Sequence, residues 1–261
     1  MLESRLYFES PSPTMDFPRD YQPQPDLLNE RVILVTGAGD GIGRAVAKAC
    51  AAHGATVVLL GKTIKKLELV YDEIESAKGP QPGIYPMNLE GATPADFDQL
   101  AQSIEQNFGR LDGLVHNAAL LPYLSRLKDH EIEDWLKVMQ VNLNAPFMLT
   151  QACLELLQKS DDASMIFTSD TVGVEAKPFW GAYGVSKFGI EGMARIWAEE
   201  LAHTPVRVNL VDPGPTLTAL RKRVFPAEDN SALKGPDSLA PLYLWLLGPD
   251  SRSARGERFA Y

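Results

Sequence analysis

Residues 32–43, VILVTGAGDGIG, constrain the fold of this chain more than any other segment. The first four residues are apolar, which is typical of a short strand buried on both faces. Glycine then occurs at positions 37, 39, 41 and 43, and residues 44–53 continue with good helix formers up to Gly54. The segment is therefore predicted to form a strand, a glycine-rich turn and a helix.

A glycine turn before a helix is suited to binding an anion. Without Cβ atoms the backbone can approach a pyrophosphate closely, and the free N–H groups and positive dipole end of the helix face it. The spacing G-x-G-x-x-G does not fit, because its last position falls on Ile42 or Arg44. The spacing that fits is T-G-x-x-x-G-x-G, at Thr36, Gly37, Gly41 and Gly43. A glycine turn without a ligand is the alternative.

Size and charge indicate one large α/β domain. The chain has 261 residues, of which 45% are hydrophobic and 23% charged, and this is enough for a substantial core. The net charge of −9 disfavours a nucleic-acid-binding surface as the main role.

Membrane and disulfide signals are both missing from the sequence. No apolar run approaches the ~18–20 residues that cross a bilayer, and the N-terminus has no signal-peptide pattern. The only cysteines, Cys50 and Cys153, fall in predicted helices, which indicates packing in a reducing compartment. We therefore expect a soluble cytoplasmic protein that binds neither nucleic acid nor membranes.

Strand and helix patterns alternate along most of the chain. Strands are predicted at 32–35, 56–60, 84–89, 111–116, 163–169 and 206–211. Helices are predicted at 44–53, 63–77, 93–108, 131–159, 181–203, 216–225 and 239–247. Such alternation produces right-handed βαβ crossovers. The predicted fold class is α/β: a single Rossmann-type doubly wound parallel sheet in three αβα layers, with a small C-terminal helical lid.

The two ends of the chain are less regular. Residues 1–25 contain five prolines and no sustained period, which predicts an extended arm packed on the domain or on a partner subunit. Residues 26–261 are predicted to form the Rossmann-type domain. Short elements at about 215–247 are predicted to form a lid over a cleft at the carboxyl ends of the strands.

Tyr183 and Lys187 lie four residues apart in a predicted helix and therefore share one face. An ammonium group near a phenol stabilises the phenolate and lowers its pKa from about 10 toward neutrality, which makes tyrosine a usable general acid or base. Because this spacing occurs on many helix surfaces, the pair points to catalysis only together with other motifs.

Five motifs occur in a fixed order along the chain. They are the turn of Thr36, Gly37, Gly41 and Gly43, then Asn117-Ala118-Ala119, Asn142 in MQVN, Tyr183-x-x-x-Lys187, and Pro213-Gly214. Over residues 30–250 this set resembles the short-chain dehydrogenase/reductase family, and segments such as LDGLVHNA and FWGAYGVSKF resemble its bacterial YciK-like group. The resemblance implies an NAD(P)(H)-dependent oxidoreductase that interconverts a carbonyl and an alcohol on a small molecule.

The resemblance also implies a role for each motif. Tyr183 would exchange a proton with the substrate oxygen, and Lys187 would lower the pKa of Tyr183 and hydrogen-bond the nicotinamide ribose. Asn142 would bind a water that links Lys187 to solvent. The cofactor would be bound by Thr36, Gly37, Gly41, Ile42, Gly43, Gly61, Lys62, Asn88, Leu89, Asn117, Ala118, Lys187, Pro213, Gly214 and Thr218.

One position departs from the family pattern. The family has a serine thirteen residues before the tyrosine, where it hydrogen-bonds the substrate oxygen, but this chain has Asp170 there. The neighbours Ser169 and Thr171 are not expected to replace that serine, because successive side chains of a strand point to opposite faces. An ionised carboxylate would repel a developing oxyanion and raise the pKa of Tyr183.

Asp170 leaves several alternatives open. A protonated Asp170 would still donate a hydrogen bond to the substrate. An ionised Asp170 would select a substrate with a cationic or hydroxyl group, or would suit a dehydration or an epimerisation. The last alternative is a nucleotide-binding protein with little or no catalysis, acting as a sensor or interaction subunit.

The end of the second strand bears on the choice of cofactor. An acidic residue there favours NAD, whereas a basic residue nearby accepts the 2′-phosphate of NADP. The chain has Gly61 followed by Lys62, which favours NADP(H) over NAD(H), and Arg44 is expected to add positive charge. A solvated Lys62 is the alternative. Asp40 in the glycine turn is expected to contribute nothing to phosphate binding.

The remaining polar and aromatic candidates indicate no further site. The histidines have no metal-ligand spacing, so no metal is predicted; they are His53, His116, His130 and His203. Basic clusters at 65–66 and 221–223 are expected on solvated helix faces. Trp180 and Phe179 would line a substrate cleft or belong to the core.

The resemblance further implies a homodimer or homotetramer, formed through the helices that contain MQVN and YGVSK. Apolar residues of the expected contact face are Phe147, Leu149, Phe188 and Met193. Burial of all four in the core of a single chain is the alternative.

Overall fold

Seven parallel strands form one sheet in the computed structural model of the protein, which describes residues 17–261. The strands are β1 Val32–Thr36, β2 Thr56–Gly61, β3 Gly83–Pro86, β4 Gly113–His116, β5 Ala163–Thr168, β6 Val206–Asp212 and β7 Arg258–Ala260. Their order across the sheet is β3-β2-β1-β4-β5-β6-β7. The strand order therefore reverses between β1 and β4, and ligands of open α/β sheets bind at such a point.

Helices cover both faces of the sheet. In the described part of the chain they are α1 Gly41–Ala52, α2 Ile64–Ser76, α3 Pro94–Phe108, α4 Ile132–Met139, α5 Ala145–Gln158, α6 Gly181–Glu200, α7 Ala219–Val224 and α8 Ala240–Leu247. The helices α1, α2 and α8 share one apolar core with the sheet, and α3, α5 and α6 share another. The predicted three-layer, doubly wound fold is confirmed.

The first strand shows why its sequence is apolar without alternation. Val32 and Leu34 belong to the core beneath α3, α5 and α6, whereas Ile33 and Val35 belong to the core beneath α1, α2 and α8. Successive side chains of a strand point to opposite faces, so a strand covered on both faces needs apolar residues at every position.

The prediction of one continuous helix over residues 131–159 is wrong. The helix α4 ends at Met139, a π-helical turn Gln140–Asn144 follows, and α5 begins at Ala145. Pro146 lies in the first turn of α5 and has no N–H to donate, which favours an interruption of the regular ladder just before it. The π-helical turn contains Asn142, which is buried and only 2% exposed.

Two of the predicted elements are each shorter by three residues at the end nearer the cleft. The strand β3 ends at Pro86 instead of residue 89, although Met87 N still donates to the Gly61 carbonyl oxygen of β2 at 3.0 Å. The helix α7 begins at Ala219 instead of residue 216, because the Thr218 hydroxyl accepts a hydrogen bond from Arg221 N and caps the helix. Asn88 and Thr218 consequently lie in loops at the carboxyl ends of the strands.

The helix α8, which was predicted as the C-terminal part of the lid, lies in the core. Leu242, Leu244 and Leu246 are at most 2% exposed and pack with α1 in the core. A helix that is apolar all round is buried on all sides, so residues 240–247 belong to the central fold. A lid formed by residues 215–239 stays a prediction.

The beginning of the described chain packs on the domain. The Phe17 ring lies 5.7 Å from the Trp245 ring, and the Tyr21 hydroxyl donates to the Asp250 carboxylate at 2.7 Å. Residues 1–16 of the predicted arm lie outside the described residues.

The expected oligomer face is divided between surface and core. Phe147 and Phe188 are 44% and 43% exposed, whereas Leu149 is 1% exposed and Met193 packs partly buried against the core. Burial of all four in one chain is therefore wrong.

Neither a membrane span nor a metal cluster is seen in residues 17–261. None of their helices combines the length and the apolar character that crossing a bilayer requires. Their His, Cys, Asp and Glu side chains form no group of three or more that is arranged to hold a metal ion.

Candidate active site

A cleft of about 440 Å³ opens at the carboxyl ends of the parallel strands. The end of β2 and the turns after β1, β4, β5 and β6 all contribute to it, so it lies where the fold predicts a ligand. The predicted site residues that line it are Gly37, Gly41, Ile42, Gly61, Lys62, Asn88, Leu89, Asn117, Ala118, Asp170, Tyr183, Lys187, Pro213, Gly214 and Thr218. Thr36, Gly43 and Asn142 are not among the lining residues of the described chain.

Thr36 joins the turns on the two sides of the switch point. Its hydroxyl oxygen accepts hydrogen bonds from the backbone N–H groups of Asn117 and Ala118, at 2.9 and 3.0 Å. Asn117 Nδ2 in turn donates to the Thr36 carbonyl oxygen at 3.1 Å. Thr36 therefore acts from behind the cleft, by holding the turn after β4 against the glycine turn.

The glycines of the turn meet two different requirements. Gly37 and Gly41 have φ angles of +68° and +51°, in the left-handed region that glycine favours. At Gly43, a Cβ atom would lie 2.3 Å from the Gly37 carbonyl oxygen and 2.5 Å from Asn117 Nδ2. Only glycine thus lets the first turn of α1 approach so closely, and this places the positive end of α1 at the cleft.

Asp40 has a role in this turn that the sequence did not show. Its carboxylate caps α1 by accepting from Gly41 N at 2.8 Å, and it also pairs with Lys66. The hydrogen bond from Lys66 is the main reason that the pKa of Asp40 lies below its usual value. Lys66 lines the cleft, and its side chain is also 50% exposed, which agrees with the expected solvated face.

The basic residues near the end of β2 are distributed differently from the prediction. Lys62 lines the cleft, and its Nζ donates to Glu90 Oε1 at 3.1 Å. Arg44 pairs with Glu73 of α2 and is not a lining residue of the described cleft. Because α1 presents this side chain to α2, Arg44 does not contact the cleft directly, but its positive charge still acts on Asp40 and helps to lower the pKa of that residue.

Two arginines of α7 line the cleft, although a solvated face was expected for both. Arg221 donates twice to the Glu228 carboxylate, each time at 2.6 Å, and Arg223 Nη2 donates to the Leu121 carbonyl oxygen at 2.9 Å. The helical period alone did not show that α7 lines the cleft.

Tyr183, Lys187 and Asp170 meet at the opposite end of the cleft from β2. The Tyr183 hydroxyl donates to Asp170 Oδ2 at 3.0 Å. Lys187 Nζ donates to the Thr168 carbonyl oxygen at 2.7 Å and lies 5.4 Å from the centroid of the Tyr183 ring. Because Tyr183 and Lys187 both come from the first two turns of α6, their relative position follows from helix geometry.

Burial and charge set the protonation of this pair. Burial raises the pKa of Tyr183 well above 10, and the charge of Asp170 and the hydrogen bond to it raise it further. Burial lowers the pKa of Lys187 to about 8, while the charges of Asp170, Asp212 and Glu191 oppose that change. Tyr183 is therefore held in its neutral form.

The hydroxyl groups beside Asp170 have other partners. Ser169 Oγ donates to Glu191 Oε1 at 2.6 Å, and Thr171 Oγ1 donates to Asp212 Oδ2 at 2.9 Å. Neither hydroxyl therefore takes the position of the family serine next to Tyr183.

Behind these residues lies a group that we name the Arg258 cluster, consisting of Arg258, Glu191 and Asp212. Arg258 Nε donates to Glu191 Oε1 at 3.0 Å, and its Nη2 donates to Asp212 Oδ2 at 2.7 Å. Asp212 Oδ1 accepts from Gly214 N at 2.9 Å, so the cluster holds one wall of the cleft. Sequence reasoning missed Arg258 because nothing local connects β7 to α6.

Asn142 bridges three parts of the chain. Its Nδ2 donates to the Leu120 carbonyl oxygen and to Ser186 Oγ, both at 3.0 Å, and its Oδ1 accepts from Leu120 N at 2.7 Å. The side chain thereby connects the π-helical turn to the loop after β4 and to α6, the helix that carries Tyr183.

The aromatic residues before Tyr183 do not line the main cleft in the described chain. Trp180 packs against the rings of Tyr183 and Phe225, at 5.7 and 5.9 Å. Phe179 is 53% exposed and lines a separate hollow beside α6. Trp180 therefore supports Tyr183 from behind.

Comparison with known proteins agrees with the motifs. Residues 31–229 match the short chain dehydrogenase family. The uncharacterized oxidoreductase YciK of Escherichia coli (strain K12) is 49% identical over 239 residues, which are 92% of this chain and 94% of that protein.

Two crystal structures with a bound nucleotide are also similar. A chain from Escherichia coli CFT073 complexed with NADPH is 49% identical with a TM-score of 0.89, and the match covers 91% of this chain and 99% of that one. A chain from Shigella flexneri 2a complexed with NADP is 48% identical with a TM-score of 0.89, over 91% and 99%.

Proposed function

The chain belongs to the short-chain dehydrogenase/reductase family of oxidoreductases, and from that premise we propose that it uses NADP(H) to interconvert a carbonyl and an alcohol on a small molecule. The observation that carries the proposal is the joint position of the glycine turn, Tyr183 and Lys187 along one cleft. A nucleotide on the turn and a substrate beside Tyr183 would then share that cleft.

The residues of the turn fit a dinucleotide. Two glycines adopt left-handed φ angles, and α1 begins without side chains at Gly41 and Gly43, so a pyrophosphate approaches the backbone N–H groups closely. It would compete with the Asp40 carboxylate for the N–H of Gly41. We assign cofactor binding to Thr36, Gly37, Gly41, Ile42, Gly43, Gly61, Lys62, Asn88, Leu89, Asn117, Ala118, Lys187, Pro213, Gly214 and Thr218. When bound, the reduced nicotinamide supplies a hydride to the substrate.

A preference for NADP(H) over NAD(H) follows from charge. The end of β2 carries Gly61 instead of an acidic residue, and Lys62 and Lys66 line the cleft beside it. Similar chains were crystallised with NADPH and NADP. A 2′-phosphate would compete with Glu90 and Asp40 for these two ammonium groups.

Each residue at the other end has a proposed task. Tyr183 gives its proton to the substrate oxygen, or takes it in the reverse direction. Lys187 stabilises the phenolate that forms and binds the nicotinamide ribose. Asn142 binds a water that connects Lys187 to solvent, and Asp170 contacts the substrate side of Tyr183.

A second candidate function is nucleotide binding with little or no catalysis, as a sensor or interaction subunit. The hydrogen bond from Tyr183 to Asp170 favours it, because it directs the acidic proton away from a substrate and the Asp170 charge raises the pKa of Tyr183. Such a protein would bind NADPH and would leave a broad panel of carbonyl substrates unreduced.

We also propose a cytoplasmic homodimer or homotetramer. The exposed aromatic side chains of Phe147 on α5 and Phe188 on α6 support a contact through these helices. Cys50 and Cys153 are both free thiols, which suits a reducing compartment.

Nucleotide binding is the first test, measured as the change of NADPH fluorescence on addition of protein. NADPH is expected to bind at least about 10-fold more tightly than NADH. Lys62→Ala is expected to weaken the binding of NADPH by about 10-fold and to leave the binding of NADH unchanged. Lys65→Ala is the matched control, since Lys65 is an exposed lysine in the first turn of α2, three residues after Lys62, and is not among the lining residues of the described cleft. Absence of binding for both nucleotides would overturn the proposal.

Catalysis is tested with Tyr183→Phe on the best substrate of a carbonyl panel. We expect kcat to fall by about 10²- to 10⁴-fold, because the proton donor is removed, while the affinity for NADPH stays unchanged. A variant as active as the wild type would contradict the proposed role of Tyr183.

A further inference from the structure

Asp170 differs from the neighbouring carboxylates Asp212 and Glu191 in having no cation beside it. Within residues 17–261, no Lys, Arg or His nitrogen lies within 4.0 Å of its carboxylate oxygens. Its two hydrogen bonds come from Val172 N at 3.1 Å and from the Tyr183 hydroxyl at 3.0 Å. By contrast, Asp212 and Glu191 are both paired with Arg258.

Lys187 is a candidate for the counter-charge of Asp170, but its ammonium group has another partner. Lys187 Nζ donates to the Thr168 carbonyl oxygen, although the charges of Asp170 and Lys187 still influence each other. Asp170 lines the cleft, whereas the paired carboxylates Asp212 and Glu191 do not. The unpaired negative charge of the site thus faces the position of a substrate.

This arrangement opposes the reduction of a simple neutral ketone. The carbonyl oxygen gains negative charge as hydride arrives, and an adjacent carboxylate repels it. The Tyr183 proton is also directed at Asp170 instead of the cleft. A reaction at this site therefore needs a positive charge close to Asp170.

The geometry points to a substrate that supplies this charge itself: an amino ketone, or in the reverse direction an amino alcohol, with a protonated amine on the carbon adjacent to the reacting carbon. This inference rests on the proposed function. The ammonium group donates to the Asp170 carboxylate and offsets its charge. Tyr183 is then free to donate to the carbonyl oxygen, while Ala119, Leu120 and Leu220 contact the carbon skeleton.

The step balances as an ordinary carbonyl reduction. A hydride with its electron pair, taken from reduced nicotinamide, forms the new C–H bond at the carbonyl carbon. The π pair of the C=O bond moves to oxygen, and the oxygen takes the proton of Tyr183. The carbonyl is reduced, the nicotinamide is oxidised, and the phenolate of Tyr183 regains a proton from solvent. The ammonium group keeps its proton throughout.

A matched pair of substrates tests the inference by activity. Aminoacetone in its ammonium form and neutral hydroxyacetone are compared by kcat/KM in the wild type, Asp170→Asn and Asp170→Ser. We expect the preference for aminoacetone to fall by about 10- to 100-fold in both variants. The ratio of the two kcat/KM values is compared between the wild type and each variant, which cancels the different intrinsic reactivities of the two substrates. Glu175→Gln is the control, because it removes an exposed carboxylate from the same loop and should leave the preference unchanged.

A binding measurement keeps the test independent of turnover. Calorimetric titration of 1-amino-2-propanol and 1,2-propanediol into the protein with NADP⁺ is expected to show tighter binding of the amine, by about 10-fold or more, and loss of this difference in Asp170→Asn. Unchanged affinity of the variant for NADP⁺ shows that it is folded.

Two results would overturn the inference. One is equal binding of the amine and the diol by the wild type, and the other is a preference that persists in Asp170→Asn. Either result would remove the inference but would leave the proposed oxidoreductase function intact. Failure to bind NADPH at all would remove the proposed function instead.

Discussion

Buried and half-buried carboxylates are paired with cations to different extents at the two ends of the β-sheet. At the amino ends of the strands, Asp162 is paired with Arg31 at 2.7 Å and with Arg207 at 3.0 Å. At the carboxyl ends, Asp170 has a hydrogen bond from Tyr183 but no cation within 4.0 Å among residues 17–261. A buried charge without a partner destabilises the fold, so a buried charge that serves stability is fully paired. A charge that is left without a counter-ion in a cleft is available to pair with a ligand.

The amino-end pairing is tight and fully satisfied. Arg207 is 1% exposed and also donates to Ser251 and to the Gly248 carbonyl oxygen. Burial by itself raises the pKa of Asp162, but the charge of Arg207 and the hydrogen bonds from Arg31 and Arg207 outweigh it and hold that pKa below its usual value. This end therefore holds β5, β6 and the segment after α8 together.

The carboxyl end is mixed in character. The Arg258 cluster is paired like the amino end, but the Asp170 and Tyr183 pair in front of it is not. At this end, therefore, the carboxylates behind the wall of the cleft are paired with a cation, whereas the carboxylate of Asp170, which lines the cleft, is not.

The largest expected effect comes from breaking the amino-end pairing. Asp162→Ala leaves Arg207 and Arg31 buried without a carboxylate, and we expect it to lower the free energy of unfolding by about 3–5 kcal/mol. The measurement is urea denaturation followed by circular dichroism.

Arg252→Met is the control for that prediction. Arg252 lies 3.6 Å from the same carboxylate but is 69% exposed, so its loss should cost less than about 1 kcal/mol. Equal losses for Asp162→Ala and Arg252→Met would show that burial does not distinguish these pairs.

The next effect comes from breaking the Arg258 cluster. Arg258→Met leaves Asp212 without its cation, and because the charge of Asp212 raises the pKa of Tyr183, we expect kcat/KM to fall by about 10- to 100-fold. The double variant Arg258→Met, Asp212→Asn removes the unpaired charge and should recover most of the activity.

Arg255→Met provides the comparison for this experiment. Arg255 precedes β7 and donates to the Val206 and Thr204 carbonyl oxygens, away from the cleft. If Arg255→Met lowered kcat/KM as much as Arg258→Met, or if the double variant recovered nothing, the electrostatic explanation would fail.

The smallest effect is a pH dependence of stability that comes from Lys187. Its pKa is about 8 in the folded protein, against about 10.4 in an unfolded chain. Between these values the unfolded chain binds the proton that the folded chain has lost, so stability rises with pH by at most ~1.4 kcal/mol per pH unit. Below the folded pKa both states are protonated, and the cost of burying the charge is constant.

Lys187→Met isolates this contribution. The free energy of unfolding of the wild type minus that of the variant should increase from about pH 7.5 to about pH 9.5. That range stays below the raised pKa of Tyr183, whose titration has the opposite sign. A constant difference over this range would contradict a lowered pKa of Lys187.

Much of the candidate site was predictable because its motifs are local. The spacing of Tyr183 and Lys187 on one helix and the glycine turn of Gly37, Gly41 and Gly43 depend on neighbours within a few residues. The departure at Asp170 was also visible, since it needs only a count back from Tyr183. The partners of these residues were harder to predict, because they come from distant segments.

Lys66, Arg44 and Arg258 illustrate that limit. A basic residue on an amphipathic helix looks the same in sequence whether it meets solvent, a neighbouring helix or a cleft. Contact with Asp40 brings Lys66 to the cleft, contact with Glu73 takes Arg44 away from it, and the pairing of β7 with β6 brings Arg258 to Asp212.

Local patterns along the chain were enough to establish the alternating strands and helices, the parallel sheet, the glycine turn and the placement of Tyr183 and Lys187 on one helix face, since each depends on short periods and spacings. The packing of distant segments settled which charges are neutralised, that α8 belongs to the core, and that the Tyr183 hydroxyl meets Asp170. The physical reason is that burial and ion pairing depend on which surfaces come together in space, and residues far apart in the chain supply those surfaces.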